Sequence, residues 1–231
     1  MPNEVIIITE IIVVFGLLSL CKKLFGKAGV IAWVAIATVL ANIITAKNAM
    51  VFGLSTAIGT VMFASTFLAT DVLSECYSKE DAKKAVGIGL FADVVLIIAT
   101  QIALLYNPSA FDYADPAMQT LFSLNLRISI ASAVMYFVAN MADVYLFNKI
   151  KERMHGRALW FRNNVSTILC NCLENFGFIW LAFVGIYDAK TILTIAVSTS
   201  VIEMLVAICD TPFLYLMTHI WHKPEVKEIT E

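Results

Sequence analysis

Charge is what this sequence has least of. Asp, Glu, Lys and Arg make up only 15% of its 231 residues, whereas 60% are hydrophobic and the mean hydropathy is +0.81. A soluble domain carries about a quarter of its residues as charges. A chain of this length can bury one core but cannot hide this much apolar surface, so an ordinary soluble fold is excluded. The five cysteines, Cys21, Cys76, Cys170, Cys172 and Cys209, form no C-x-x-C pair and sit in or beside apolar segments. They read as small buried hydrophobes, so neither a disulfide framework nor a metal site is expected. Residues 1–4 lack Lys and Arg, and the first apolar run therefore lacks the basic start of a cleavable signal peptide. Gly53 and Gly59 have a spacing near that of a phosphate-binding loop, but no Lys-Ser or Lys-Thr follows. ATP hydrolysis by this chain is not expected, and no cofactor is indicated. No basic run interleaved with aromatics marks a nucleic-acid surface. No linker or low-complexity stretch divides the chain, which reads as one transmembrane domain over residues 1–231.

What is present is a series of apolar segments. A membrane span needs about 20 predominantly apolar residues. Seven segments qualify, at 4–21, 28–46, 51–74, 85–106, 120–148, 163–187 and 190–220, with a polar turn at 107–119. The expected architecture is an all-α, polytopic helical bundle in the lipid bilayer, with six spans if the short first segment does not cross. Basic residues accumulate on the cytoplasmic side of membrane proteins. Lys22, Lys23 and Lys27 follow the first segment, and Lys79, Lys83 and Lys84 follow the third. Lys149, Lys151, Arg153, Arg157 and Arg162 follow the fifth, and Lys223 and Lys227 follow the last. The alternate connections hold only Lys47 and Lys190, and Arg127 lies within a segment. This alternation predicts a multi-pass protein of the plasma membrane with its N-terminus outside and its C-terminus in the cytoplasm.

Ionisable side chains within apolar segments carry the functional signal, since each costs about 2.5–3.5 kcal/mol at the bilayer centre. They include Asp71, Glu75, Asp93, Arg127, Asp143, Glu174, Glu203 and Asp210. Asp71 and Glu75 share a helical face. Positions 163, 167, 171, 174 and 178 form a second stripe at helical spacing, holding Asn163, Thr167, Asn171, Glu174 and Phe178. An Asn-x-x-acid pattern occurs twice, as Asn140–Asp143 and Asn171–Glu174. Amide donors and acceptors beside carboxylates suit a flat polar heterocycle with adjacent N–H groups. Trp160, Phe161, Phe176, Phe178, Tyr136 and Tyr145 are available to stack on it. For any single Asn, helix–helix bridging is an equally good reading. The expected substrate residues are Asp71, Glu75, Asn140, Asp143, Arg162, Asn163, Asn164, Asn171 and Glu174, some of the acids serving instead as proton sites. Arg127, Glu203 and Asp210 are secondary candidates. Arg162, Asn163 and Asn164 are placed to gate a cytoplasmic mouth.

Four segments carry a family resemblance. Ala69-Thr70-Asp71-Val72-Leu73-Ser74-Glu75 is similar to the A-T-D-x-L-S-E motif of the queuosine precursor transporters, also called the vitamin uptake family. Ala131-Ser132, Tyr136, Asn140, Asp143 and Phe147 resemble a second motif of that family, and Leu159-Trp160-Phe161-Arg162-Asn163-Asn164 with Ser166-Thr167 a third. Asp210-Thr211-Pro212 matches a short D-T-P. The chain departs from the family pattern where Asn140 replaces a usual Gln, and where Asn171-x-x-Glu174-Asn175 replaces Q-x-x-D-T. The resemblance implies import of a small deazapurine: 7-cyano- or 7-aminomethyl-7-deazaguanine, or queuine. It implies a secondary carrier or facilitator rather than an enzyme. The alternative is a substrate-binding subunit of an energy-coupling-factor transporter, whose partners would be energy-coupling-factor subunits. A membrane hydrolase is a weaker alternative, because no nucleophile–base arrangement is evident.

Overall fold

The structure, a computed structural model, describes residues 1–122 and 126–220; the side chains of residues 126, 127, 129 and 220 also lie outside the description. The chain starts with α1 (Asn3–Ile44), which contains one non-helical residue, Gly26, at φ 60° and ψ −140°. A straight helix of that length would separate Asn3 from Ile44 by about 60 Å. Yet Asn3 Nδ2 donates to the Met50 carbonyl at 2.8 Å, and the Phe52 amide donates to Glu4 at 3.3 Å. The six residues from Thr45 to Met50 span at most about 20 Å. Helix α1 therefore folds back at Gly26 into two antiparallel arms, which match the first two segments expected from the sequence.

The third expected segment begins differently. Residues 48–57 form a hairpin of β1 (Asn48–Val51) and β2 (Leu54–Ala57), in the register Val51↔Leu54. Its two turn residues, Phe52 and Gly53, both have positive φ, the geometry that matches the twist of the flanking strands. Helix α2 (Thr60–Cys76) follows, and every residue from Ala64 to Ser74 is buried. It is the central post of the bundle.

Helix α3 (Lys79–Ala103) starts where Ser78 Oγ accepts the Asp81 amide at 3.0 Å and donates to the Asp81 carboxylate at 2.7 Å. The turn expected at 107–119 contains the start of a short exposed helix, α4 (Asp115–Phe122). Helix α5 (Leu126–Arg153) and α6 (Leu159–Phe183) pack together along their length. The backbone between them passes through positive φ at His155, Gly156 and Ala158. Helix α7 (Ala189–Tyr215) begins on Asp188, whose carboxylate accepts the Lys190 and Thr191 amides. It runs through Pro212 and ends in a π-turn, Leu216–Ile220.

Five of these helices are long and apolar enough to cross a membrane, and folded α1 is one of them. Large apolar side chains such as Ile12, Leu17, Phe91, Val138, Trp180 and Leu205 project outward around the bundle, where lipid tails replace water as the neighbour. The connections rich in Lys and Arg meet at one end. There Lys27 pairs with Asp81 at 3.6 Å, and the buried Lys22 donates to the Met217 carbonyl and to Cys76 Sγ. We call this the basic end and the opposite one the hairpin end. Lys223 and Lys227 lie outside the described residues.

Candidate functional site

Helix α6 runs between two polar regions that differ in character. Towards the hairpin end lies a cavity of about 710 Å³, within the size range of small-molecule sites. Its polar lining includes Asn42, Thr60, Ser132, Glu174, Asn175, Ser198, Thr199 and Glu203, and its aromatic lining Phe63, Tyr136, Phe178, Phe183 and Tyr187. Phe63 and Tyr136 meet edge to face, with centroids 6.1 Å apart. The acids stand together: Asn175 Nδ2 donates to Glu203 Oε2 at 2.5 Å, and Glu174 neighbours Glu203. Among the described residues no Lys, Arg or His lines the cavity. Its rim is formed partly by Asn48, Ser55 and Ala57 of the β-hairpin.

Towards the basic end the same bundle is closed. Arg162 is wholly buried, and its guanidinium joins three elements. It donates to the Gly156 carbonyl at 2.7 Å, pairs with Glu75 of α2 at 2.5 Å, and stands 5.1 Å over the Phe147 ring of α5. Lys151 of α5 reaches the other Glu75 oxygen at 2.9 Å. Asn163 donates to Asp210 at 2.7 Å and Asn164 to Thr211 Oγ1 at 2.8 Å, tying α6 to α7. Just inside this tie the Asp71 and Asp143 carboxyls lie side by side, with Ser166 and Thr167 against Asp143 and Asp210 close by. Both acids are fully buried, and none of their four carboxyl oxygens accepts a hydrogen bond within the protein.

The residues expected from the sequence thus separate into two groups. Asp71, Glu75, Asp143, Arg162, Asn163, Asn164 and Asp210 gather at the closed end. Glu174 and Glu203 face the cavity. Asn171 lies between, 2% exposed, with neither amide atom partnered. Asn140 is not a cavity wall: it accepts from Thr66 at 3.3 Å and donates to its own helix at Tyr136. Arg127 falls on α5, and its side chain lies outside the described residues. Of the expected stacking aromatics, only Tyr136 and Phe178 line the cavity. Trp160, Phe161, Phe176 and Tyr145 are exposed on the bundle surface, because their positions on α5 and α6 turn away from the helix contacts. The sequence names Asn175 only within a departure from the family pattern and not as a site residue, yet it anchors Glu203. Phe63 and Asn42 were not expected at the site either; Asn42 donates to Asp93 at 2.8 Å beside the cavity.

A bundle of lipid-facing helices, enclosing a polar cavity that opens at one end and is tied shut at the other, is the architecture of a multi-pass membrane transport protein. The chain belongs to the vitamin uptake transporter family, since residues 57–217 match the family described as "Putative vitamin uptake transporter". A Bacillus subtilis (strain 168) protein named "Probable queuosine precursor transporter" is 35% identical over 88% of this chain and 90% of its own length. A Haemophilus influenzae protein with the same name is 31% identical over 54% of this chain and 51% of its own. The Escherichia coli (strain K12) "Queuosine precursor transporter" is 26% identical over 61% and 64%. No solved structure matches the chain.

Proposed function

We propose that this protein imports a queuosine precursor, a 7-deazaguanine or the queuine base, as a secondary carrier of the bacterial cytoplasmic membrane. In this reading the hairpin end faces outward, the basic end faces the cytoplasm, and the whole chain acts as one transport domain. The observation that carries the reading is the pair Glu174–Glu203 in an aromatic-lined cavity where, among the described residues, no basic side chain stands. A guanine-like edge presents two parallel N–H groups, which one carboxylate accepts together. The other carboxylate and the neighbouring hydroxyls meet the remaining ring donors, and Phe63 and Phe178 offer stacking faces. Glu75, Arg162, Asn163 and Asn164 then act at the closed end as the inner gate rather than as ligands of the base.

Uptake of labelled 7-aminomethyl- and 7-cyano-7-deazaguanine, in cells unable to make them, is the direct test. Glu174→Gln and Glu203→Gln each remove a charged hydrogen-bond partner worth about 1.5–3 kcal/mol, so uptake should fall roughly 10- to 100-fold. Normal insertion with normal uptake in both variants would refute the site. Uptake in a host lacking energy-coupling ATPases would exclude a binding-subunit role.

A further inference from the structure

The polar face of α6 connects the open cavity to the buried Asp71–Asp143 pair. Glu174 lines the cavity, Asn171 is one turn deeper, and Thr167 is one turn deeper again, against Asp143. The steps of three and four residues keep all three on one face, each about 5–6 Å below the last. Neither Asn171 amide atom has a hydrogen-bond partner, although the residue is only 2% exposed. Helix–helix bridging, the ordinary reason for polar groups in a membrane helix, would have engaged it. Thr167, wholly buried, turns its hydroxyl to Asp143, so the face leads from the cavity to the neighbouring Asp71 and Asp143 carboxyls.

We propose that Asp71 and Asp143 form a proton-coupling site, separate from the substrate cavity and loaded from it along the Glu174–Asn171–Thr167 face of α6. The proposal rests on the transport reading above and adds its driving ion. Two carboxyls in contact in a dry interior cannot both hold full charge, and together they hold a proton between them. The charged and titratable groups that act on the pair are Arg162 and Cys170 on α6 and Asp210 on α7. Behind Arg162 stands Glu75 on α2, which Lys151 on α5 also reaches. Arg162 is held by Glu75 on one side and by the field of Asp71 on the other. A proton arriving from the cavity joins the pair and removes part of the charge that holds Arg162. The inner tie loosens, the bundle opens towards the basic end, and the proton leaves with the substrate. The cycle is a symport in which one proton moves inward and no bond of the substrate changes.

The test uses the purified full chain in liposomes with labelled 7-aminomethyl-7-deazaguanine. An inside-alkaline gradient of one pH unit should drive about tenfold accumulation for one proton per substrate, and a protonophore should abolish it. Asp143→Asn and Asp71→Asn should abolish accumulation while keeping exchange of labelled for unlabelled substrate, which also shows that the variants are folded. Thr167→Val should slow gradient-driven uptake more than exchange. Accumulation driven by a sodium gradient instead, or undiminished in both aspartate variants, would overturn the proposal. Absence of exchange in the unaltered protein would overturn the transport reading and this one together. A variant that loses exchange as well as accumulation would place its aspartate in the substrate path and overturn the separate site.

Discussion

Arg162 joins the α5–α6 turn, α2 and the Phe147 ring, and does so from a fully buried position. Removing one partner of a buried ion pair costs about 3–5 kcal/mol, because the other charge is left uncompensated. Arg162→Met should therefore lower the melting temperature in detergent strongly, less so if Glu75→Gln accompanies it. Arg162→Lys keeps the charge but not the planar fork, and should restore only part of the loss. Asp188 works at the other end. The Thr191 hydroxyl first, and then the Thr191 amide, hold its carboxyl below its ordinary value of 3.8. The stabilisation it gives the start of α7 is thus full above that value and lost as pH falls through the lowered one. At neutral pH Asp188→Ala should speed amide exchange at Lys190 and Thr191, and the difference should vanish in strong acid. Residue types were legible in the sequence to differing degrees. A helical period identifies a face but not its neighbour, so Glu174 was expected as a site residue and Asn175, one position round the helix, was named only as a departure from the family pattern. The exposed Trp160 and Phe161 illustrate the same limit. Aromatic character is shared by residues that stack on a ligand and residues that meet lipid.

At the level of elements, close approach between helices is set by glycines. A Cβ on Gly59 would come within 2.6 Å of the Ala41 carbonyl, and one on Gly89 within 2.0 Å of Tyr136 Oη. The first contact is with backbone and cannot move aside. Gly59→Ala should destabilise by about 1–3 kcal/mol, the usual range for overpacking, read as a fall in melting temperature. Gly89→Ala should in addition displace Tyr136 from the cavity wall and weaken substrate binding. Long apolar runs matched α3, α5, α6 and α7 to within six residues at each end, because membrane spanning demands both length and hydrophobicity. The β-hairpin was hidden for the same reason. Ala49, Met50, Val51, Phe52 and Leu54 look like the start of a span, and only the Phe52–Gly53 turn geometry distinguishes them. The reversal at Gly26 leaves two arms with a single residue between them, which the basic stretch at 22–27 announces only as a boundary.

Across the whole molecule, the structure opens at the hairpin end and is closed at the basic end, and the carrier mechanism proposed above requires a second conformation in which the basic end opens. The α6–α7 contact between Asn164 and Thr211 belongs to the closed end. Asn164→Cys with Thr211→Cys, in a background with the exposed Cys209 changed to Ser, should form a disulfide that holds this end shut. Uptake should then stop on oxidation and return with reductant, and uptake unaffected by oxidation would show that α6 and α7 need not part there. The folded α1 also fastens the basic end. Cys21 Sγ reaches across the reversal to the Gly29 carbonyl, and Lys22 beside it is buried, donating to Cys76 Sγ of α2 and to the Met217 carbonyl just after α7. One lysine thus joins α1, α2 and the π-turn that follows α7, and replacing it should loosen all three together.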